Sequence, residues 1–527
     1  MFSLLLSFSA QRYSAALDKP DTVPDAWNGS TELAEVQHVG LSWSPARRGI
    51  RLVRRANKLV LISLAFYVTL LVDRGLRKWC SYEDQWSCPM SKHVDTAEDS
   101  ARKALIIFRL LMQDYHPRDF AIRFWDGSQW LAETGSPRFT LVLNHPHALR
   151  CMLQNGGSDL AISESYIRGD LDLEGDLEAA MRLATYLTGR HWPISTTLQV
   201  GWNLFRMSAN GRSDGNGKRP ATLSGDVHSI ERDRQAVTYH YNVSNDFYAL
   251  WLDQRMVYSC AYFETPDEDL DTAQIRKLDY LCRKLRLRPG ERLLDIGCGW
   301  GGLIIHAAQH YDVDALGITL SENQATLANE RIARAGLQDR CRVELRDYRD
   351  LDEANGFDKL VSVGMFEHVG EIRLPLYFQH AWRLLRSGGV FLNHGIALRA
   401  SEPRPKGPTF ITRYVFPDGD LVPINATLRY AEAAGFEVRD VESLREHYAL
   451  TLRHWTRRLE LHRDQALQVV GEPTYRVWKL FLPGSANGFA EGALNVYQAL
   501  LLKPDDGRSG LPLTRADWYR RYPANDR

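Results

Sequence analysis

One stretch decides the fold, Leu293-Leu-Asp-Ile-Gly-Cys-Gly-Trp-Gly-Gly-Leu303. Residues 292–296 are mostly apolar and predict a short buried strand, and residues 303–310 follow a helical pattern. The glycines between them allow the backbone to approach a ligand where a Cβ would clash. A strand, a glycine turn and a helix in this order are typical of a nucleotide-binding crossover.

Two features of the stretch indicate which ligand the turn holds. Asp295 precedes the turn on the strand, where a carboxylate can accept hydrogen bonds or meet a cationic ligand. The Lys-Ser/Thr pair with which a P-loop cradles phosphates is absent from the turn. The combination favours S-adenosylmethionine (SAM) over a nucleotide polyphosphate.

The chain beyond the turn alternates between strand and helix patterns. This alternation predicts an α/β, Rossmann-like fold with a mostly parallel sheet covered on both faces. Residues 400–419 are rich in Pro, Gly and charge and suggest a lid loop. Strands are predicted at 313–318, 341–345, 357–363, 390–394 and 494–502, and helices at 272–285, 321–335, 374–385, 426–434, 444–470 and 475–482.

Ligands of an open parallel sheet bind beyond the carboxyl ends of its strands. Four segments besides the glycine turn reach that edge: 317–324, 346–348, 364–370 and His394. A dinucleotide site would place an acid near the end of the second strand to hold a ribose, where this chain has Thr319. The edge is therefore a polar pocket that does not suit NAD.

The rest of the chain divides by composition into four further parts. Residues 1–100 form a poorly patterned N-terminal extension, and residues 101–207 predict a small α+β N-terminal domain. Residues 208–225 are rich in Gly, Ser, Asn and Asp and predict a flexible linker before the catalytic domain, 226–505. Residues 506–527 are expected to be a C-terminal tail.

Charge and cysteine usage exclude several classes of protein. Lys plus Arg and Asp plus Glu both number 65, so a globally basic nucleic-acid binder is not expected. The seven cysteines form no Cys-x-x-Cys pair, which indicates a reducing compartment and no structural zinc. We therefore expect a cytoplasmic protein that has no metal and no nucleic-acid partner.

Residues 59–72 form an apolar run with Arg and Lys on both sides. The run is shorter than the roughly 20 apolar residues that span a membrane. It fits a buried helix and an interfacial helix with basic flanks equally well. Peripheral association with a membrane is therefore one expectation for this protein.

The catalytic region contains five motifs: Tyr239-His-Tyr-Asn242, Tyr258-Ser-Cys-Ala-Tyr-Phe263, Leu294-Asp-Ile-Gly-Cys-Gly-Trp-Gly-Gly302, Gly317-Ile-Thr-Leu-Ser321 with Gln324, and Val361-Ser-Val-Gly-Met-Phe-Glu-His-Val-Gly370. Together they resemble the cyclopropane-fatty-acyl-phospholipid synthases and the related mycolic acid methyltransferases, over about residues 238–503. The region before the linker resembles, more weakly, the small N-terminal domain of the bacterial phospholipid enzymes.

The resemblance implies two sets of site residues. A bicarbonate ion would be held by Cys260, Glu367, His394, Ile396 and Tyr448. Ser485 stands where some members of the family have a cysteine proposed as catalytic, and this departure puts a cysteine nucleophile in doubt. Catalytic roles are thus expected for Cys260, Glu367, His394, Tyr448 and Ser485. SAM contacts are expected at Tyr258, Ser259, Asp295, Gly297, Cys298, Gly299, Trp300, Gly301, Thr319, Gln324, Asp347 and Tyr348.

The implied function is transfer of a methylene group from SAM to the cis double bond of an unsaturated phospholipid acyl chain. Attack on the methyl group leaves a carbocation, which aromatic faces such as those of Tyr241, Tyr262 and Phe263 can stabilise. A bound bicarbonate would then take the proton whose loss closes the ring. Because Glu367 and His394 would lie beside an anion, they are expected to titrate as a coupled set.

Three alternatives remain open at this point. One keeps the carbocation but ends in a methyl- or methylene-branched chain. Another is O- or N-methylation of a small molecule, which the Tyr258–Phe263 motif disfavours. The third is a non-catalytic lipid-binding protein. The expected partner is a phospholipid bilayer, and a homodimer is compatible with the resemblance.

Overall fold

The computed structural model describes residues 97–153, 158–207, 217–405 and 407–519. The N-terminal extension up to residue 96 and the apolar run at 59–72 lie outside these ranges, as do residues 208–216 of the predicted linker. Within the described ranges, no helix is long and apolar enough to cross a membrane.

A small α+β region precedes the linker, as the alternation of short strands and helices predicts. Its elements are α1 (Ala97–Leu111), β1 (Phe120–Arg123), β2 (Gln129–Trp130), β3 (Phe139–Leu143), α2 (Ala148–Met152), α3 (Asp159–Ile167), β4 (Leu171–Gly175), α4 (Leu177–Gly189) and α5 (Ile194–Arg206). The four strands lie in the order β2-β1-β3-β4, with β1 and β3 parallel and the outer pairs antiparallel.

A seven-stranded sheet forms the second region and confirms the predicted α/β class. Its elements are α6 (Ile230–Tyr241), α7 (Asn245–Ala249), α8 (Leu270–Leu285), β5 (Arg292–Ile296), α9 (Gly302–Tyr311), β6 (Asp314–Thr319), α10 (Glu322–Arg334), β7 (Cys341–Leu345), β8 (Phe357–Val363), α11 (Leu374–Leu384), β9 (Leu385–Leu398), α12 (Phe410–Tyr414), α13 (Ile424–Ala433), β10 (Glu437–Ser443), α14 (Arg445–Leu461), α15 (Arg463–Ala490) and β11 (Leu494–Leu502).

The strands of this sheet lie in the order β10-β11-β9-β8-β5-β6-β7. β7, β6, β5, β8 and β9 pair in parallel, and β11 enters antiparallel between β9 and β10. The parallel arrangement brings the carboxyl ends of β5, β6 and β8 to one edge, where ligands of such sheets bind. The middle of β9 also reaches that edge, because His394 pairs with Val363 at the end of β8.

Three elements differ from the sequence-based prediction. The helix expected over 444–470 is two helices, α14 and α15, and α15 is kinked at Gly471, whose φ of 73° is left-handed. β9 extends on both sides of the predicted 390–394, and the edge strand β10, which pairs with β11, was not predicted. β10 reads Glu-Val-Arg-Asp-Val-Glu-Ser, and this polar edge strand has no apolar run that would reveal it.

Helix α15 joins the large sheet's region to the small α+β region through one buried arginine. Arg476 is 8% exposed, and its guanidinium donates to the carbonyl oxygens of Tyr166 (2.7 Å) and Leu171 (2.9 Å). It also donates to the Asp172 carboxylate at 3.3 Å. These partners lie in or next to α3 and β4, so the arginine ties the two regions together.

We expect Arg476→Met to lower the free energy of unfolding by about 3 kcal/mol, because it leaves two buried carbonyls and a carboxylate without their donor. Chemical denaturation followed by circular dichroism measures the change. The matched control is Arg457→Met on the exposed face of α14, which should stay within about 0.5 kcal/mol of the wild type. A loss below about 1 kcal/mol for Arg476→Met would show that solvent replaces the guanidinium.

Candidate active site

An open cavity of about 1110 Å³ lies at the carboxyl edge of the parallel strands. Eleven of the twelve residues expected to contact SAM line it: Tyr258, Ser259, Asp295, Gly297, Cys298, Gly299, Trp300, Thr319, Gln324, Asp347 and Tyr348. Gly301 does not, because it caps α9 and its α-carbon faces Ala328 of α10. The topology therefore gathers residues from four separate segments, 258–259, 295–300, 319–324 and 347–348, around one space.

The glycine turn is shaped by what lies on either side of it. At Gly297 (φ 88°) a Cβ would come within 2.6 Å of the Cβ of Met365, so the position tolerates only glycine. At Gly299 (φ 54°) a Cβ would meet no protein atom within 4 Å. The open side of the turn at Gly299 is the cavity, where a ligand can approach the backbone closely.

Asp295 is the acidic group at the floor of the cavity. Its side chain is buried, and its Oδ1 atom has no hydrogen-bond partner. Burial raises the pKa of Asp295 to about 7, and the nearby cation of Lys277 opposes this rise. A buried carboxylate oxygen without a partner fits a ligand that brings hydrogen-bond donors or positive charge, as the amino group and sulfonium of SAM do.

Lys277 is a cavity residue that the sequence analysis missed. It is 1% exposed, and its Nζ donates to the hydroxyl of Ser259 at 2.8 Å. Burial lowers the pKa of Lys277 to about 8. The signal was present in the sequence, since residues 270, 273, 277, 281 and 284 follow the buried face of α8 and two of them are lysines.

Two further cavity residues are fixed by local hydrogen bonds. The Thr319 hydroxyl, at the end of β6, donates to the Gln324 side-chain oxygen at 2.7 Å, in the first turn of α10. This leaves the Gln324 amide nitrogen as a donor at the cavity wall. Asp347 is held by two hydrogen bonds from Arg349, 2.7 and 2.8 Å long, and Arg349 also donates to Asp233.

Two of the residues implied for bicarbonate, Glu367 and Ile396, are in contact beside this cavity. Glu367 sits in a short 3-10 turn between Met365 and His368, both of which line the cavity. Its Oε1 accepts a 2.7 Å hydrogen bond from the backbone nitrogen of Ile396. Ile396 therefore contributes by holding Glu367, and its amide is not a free donor for an anion.

Burial shifts the pKa values of two residues implied for bicarbonate, Glu367 and His394. It raises the pKa of Glu367 to about 7, against the opposing effect of the Ile396 amide. It lowers the pKa of His394 to about 3, with help from the cations of Lys277 and Lys284. The expected mutual coupling of Glu367 and His394 is not what shifts them, since each moves towards its neutral form because it is desolvated.

Both groups keep one buried polar atom without a partner. These are Oε2 of Glu367 and Nε2 of His394. Unpartnered buried polar atoms are costly and are usually matched by a ligand or an ordered water. A small oxyanion with several acceptor atoms fits such a pair when Glu367 is protonated and His394 carries its proton on Nε2.

Cys260 and Tyr448 complete the group. Cys260 is fully buried, its Sγ lies 3.7 Å from the Leu444 carbonyl, and burial raises the pKa of its thiol. Tyr448 lies one helical turn after Leu444. Burial, together with the nearby Cys260 and Glu367, raises the pKa of its hydroxyl. Both groups therefore stay protonated. The Tyr448 hydroxyl can serve as a neutral donor, whereas the Cys260 thiol already donates towards the Ala261 and Leu444 carbonyls.

The remaining candidates are placed less centrally. Ser485 is half-buried on α15, one turn before Phe489, whose ring centre lies 4.7 Å from that of Tyr448. Among the three aromatic candidates for stabilising a carbocation, Tyr241 lines the cavity. Tyr262 and Phe263 lie outside the lining and stack on histidines of α14. Tyr258, Trp300 and Tyr348 are the further aromatic rings at the cavity wall.

Comparison with known proteins identifies the family to which this site belongs. The model of the mycolic acid cyclopropane synthetase family matches residues 228–499, and a model of a domain of unknown function matches residues 107–189. A probable fatty acid methyltransferase of Pseudomonas putida is 43% identical over 404 residues, which cover 76% of this chain and 96% of that protein.

Two further relatives share the catalytic region. Cyclopropane mycolic acid synthase 3 of Mycobacterium tuberculosis is 40% identical over 278 residues, 51% of this chain and 96% of that protein. The solved structure of a cyclopropane synthase from the same organism has a TM-score of 0.49 and 34% identity, and it covers 53% of this chain and 99% of its own. The family model and the 43% identity to the Pseudomonas putida protein show that the chain belongs to the mycolic acid cyclopropane synthetase family and is a SAM-dependent methyltransferase.

Proposed function

We propose that the protein is a cyclopropane-fatty-acyl-phospholipid synthase, which adds a methylene group from SAM to the cis double bond of an unsaturated phospholipid acyl chain. The observation that carries this proposal is the pair of unpartnered buried atoms, Glu367 Oε2 and His394 Nε2, beside the SAM cavity. Simple methyl transfer to an oxygen or nitrogen needs no such pair, whereas ring closure needs a base for a carbon-bound proton.

The reaction sets three requirements for the site. SAM supplies an electrophilic methyl group, and the double bond must lie in line with it, so positioning contributes much of the rate. When the new carbon–carbon bond forms, positive charge appears on the acyl chain. The rings of Tyr241 and Tyr258 at the cavity wall can stabilise this charge through their faces.

The last requirement is removal of a proton from the transferred carbon. A bicarbonate ion held by Glu367, His394, Cys260 and Tyr448 would supply the base. At neutral pH His394 is neutral and about half of Glu367 is protonated, because burial lowers the pKa of His394 to about 3 and raises that of Glu367 to about 7. Neutral donors orient an anion without quenching its basicity as a fixed cation would.

The test is a product analysis under controlled carbon dioxide. Purified protein is incubated with SAM and vesicles of cis-unsaturated phospholipid, and the acyl chains are analysed by mass spectrometry and NMR. We expect a gain of one methylene unit with cyclopropane proton signals, lost on removal of dissolved carbon dioxide and restored by added bicarbonate. Binding of SAM without any change in the lipid would contradict the proposal.

A second candidate is a methyltransferase that produces methyl- or methylene-branched acyl chains. It is favoured by one observation, that the relative from Pseudomonas putida is named a probable fatty acid methyltransferase and matches 76% of this chain. The carbocation is common to both candidates. A methyl-branched alkene forms when a chain carbon loses the proton, and a methylene branch forms when a hydride shift along the chain precedes loss of a proton from the transferred carbon. An alkene retained in the product would support this second candidate.

A phospholipid substrate requires a surface that meets the bilayer, and we assign this role to one face of α5. Ile194, Leu198, Trp202 and Phe205 recur at helical spacing and are 45–72% exposed. Val200 and Leu204, on the opposite side, pack against the core. Helix α5 contains no acidic residue and ends in Arg206, which suits an anionic lipid surface.

We expect the double variant Trp202→Glu, Phe205→Glu to reduce binding to vesicles that contain phosphatidylglycerol at least about tenfold. The reason is that the variant removes two aromatic rings, each of which would bury apolar area in the bilayer. Co-sedimentation measures binding, and activity on detergent-dispersed lipid should be unchanged. The control is Leu513→Glu, which alters a fully exposed leucine outside this face. Undiminished binding would exclude this face, and a shift from dimer to monomer would assign it to a second copy of the chain.

A further inference from the structure

A hydrogen-bonded chain of buried side chains leads to His394 from behind the site. It begins with Gln498, which is directly opposite His394 in the antiparallel pairing of β11 with β9. Residues paired in this way project to the same face of a sheet. The Gln498 side-chain nitrogen lies 3.2 Å from Nδ1 of His394, and both residues are at most 2% exposed.

The next member of the chain is Lys284, in the last turn of α8. Its side chain is 1% exposed, and its Nζ donates to the Gln498 side-chain oxygen at 2.8 Å. The same ammonium forms a hydrogen bond and ion pair with Glu442 on β10, which also accepts from the Tyr280 hydroxyl at 3.0 Å. Glu442 thus gives the buried lysine a counter-charge.

The donors and acceptors of these side chains allow one consistent arrangement of hydrogen bonds. An ammonium group has donors only, so it must face the oxygen of the Gln498 amide. The amide nitrogen, itself only a donor, then faces Nδ1 of His394, and Nδ1 must accept. A neutral imidazole that accepts at Nδ1 carries its proton at Nε2, the atom that has no partner in the site.

We propose that Gln498 and Lys284 are positioning residues, which hold His394 in the tautomer with its proton on Nε2 so that it serves as a hydrogen-bond donor in the site. The proposal deepens the proposed function, because it takes His394 to be a residue of that site. Neither residue touches the reacting atoms, and both act through His394.

The variant Gln498→Glu tests this directly, because it keeps the shape of the side chain and replaces the donating amide nitrogen by an accepting oxygen. A carboxylate still accepts from Lys284, but its second oxygen can only accept, so Nδ1 of His394 must take up a proton. We expect 15N NMR of histidine-labelled protein to show His394 protonated at Nε2 in the wild type and at Nδ1 in Gln498→Glu. The resonance is identified by its loss in His394→Gln.

Activity provides the second measurement. We expect kcat of Gln498→Glu to fall at least about tenfold, as is usual when the partner that orients a site histidine is changed, while the KM for SAM stays within about twofold. Lys284→Met frees the amide to rotate, and we expect it to give a mixture of the two tautomers. The matched control is Gln338→Glu, the same chemical change at an exposed turn, which should leave both measurements unchanged.

The two measurements separate this inference from the proposed function. An Nδ1-protonated His394 in the wild type, or the same tautomer in wild type and Gln498→Glu, would overturn the positioning role whatever the lipid product is. If the expected tautomers are found but the protein forms no cyclopropane, the positioning role of Gln498 and Lys284 is supported and the proposed reaction is refuted. Thermal unfolding of each variant shows that the comparison is made between folded proteins.

Discussion

Replacing Glu367 by glutamine is expected to lower the rate of cyclopropane formation by about 100- to 10,000-fold, the range typical of losing a group that handles a proton. Glutamine has nearly the same shape, so its oxygen can still accept from the Ile396 amide at the 2.7 Å position that Glu367 occupies. It cannot exchange a proton at the other atom, the buried Oε2 that has no partner. The change therefore removes the titratable group while it leaves the packing intact.

Single-turnover kinetics with vesicles, together with calorimetric titration of SAM, measure this effect. SAM binding should stay within about threefold of the wild type, because Glu367 lies beside the cavity and not in its lining. The control is Glu432→Gln on the exposed face of α13. A loss smaller than about tenfold would mean that proton removal does not depend on Glu367.

The second large effect concerns Asp295 and the pH dependence of SAM binding. Burial raises the pKa of Asp295 to about 7 in the free protein. Its anionic form attracts the positively charged SAM, and its neutral form does not. Affinity should therefore be full above pH 7 and should decrease as pH falls through 7, by about tenfold between pH 8 and pH 6 for a single group. Lys277, whose pKa is about 8, would add attraction above that pH by losing its own charge.

Asp295→Asn is expected to weaken SAM binding about 10- to 100-fold at pH 8, which corresponds to the loss of a charge-assisted hydrogen bond. It should also abolish the decrease between pH 8 and pH 6. Calorimetric titrations at three pH values measure both, and Asp267→Asn, at an exposed position, is the control. An unchanged pH dependence in Asp295→Asn would assign the titration to another group.

The sequence revealed those parts of the site that follow from local pattern. The glycine turn, the end of β6 at Thr319 and the Phe366–His368 turn all come directly after apolar strands. Because parallel strands share an edge, the sequence alone is enough to place these segments together. The last strand, Leu494–Leu502, was predicted with its observed bounds because most of its residues are apolar and only Asn495 and Gln498 interrupt them.

The groups behind the site could not be placed in this way. Glu442 and Gln498 face each other on neighbouring strands, but Lys284 is more than 150 residues from either of them, and only packing of α8 against the sheet brings it to them. A lysine in the apolar register of a helix signals burial but does not reveal its partner. The neutral forms of Glu367 and His394 were missed for a related reason, because desolvation depends on the surrounding packing and not on the local sequence.

The measurement that most directly tests the proposed reaction uses SAM whose transferred methyl group is fully deuterated. Wild-type protein is incubated with vesicles of cis-unsaturated phospholipid, and the acyl chains are examined by mass spectrometry and NMR. Deprotonation of the transferred carbon with ring closure predicts a cyclopropane that retains two of the three deuterium atoms. A branched chain that retains all three, or one with two and an alkene still present, would contradict ring closure.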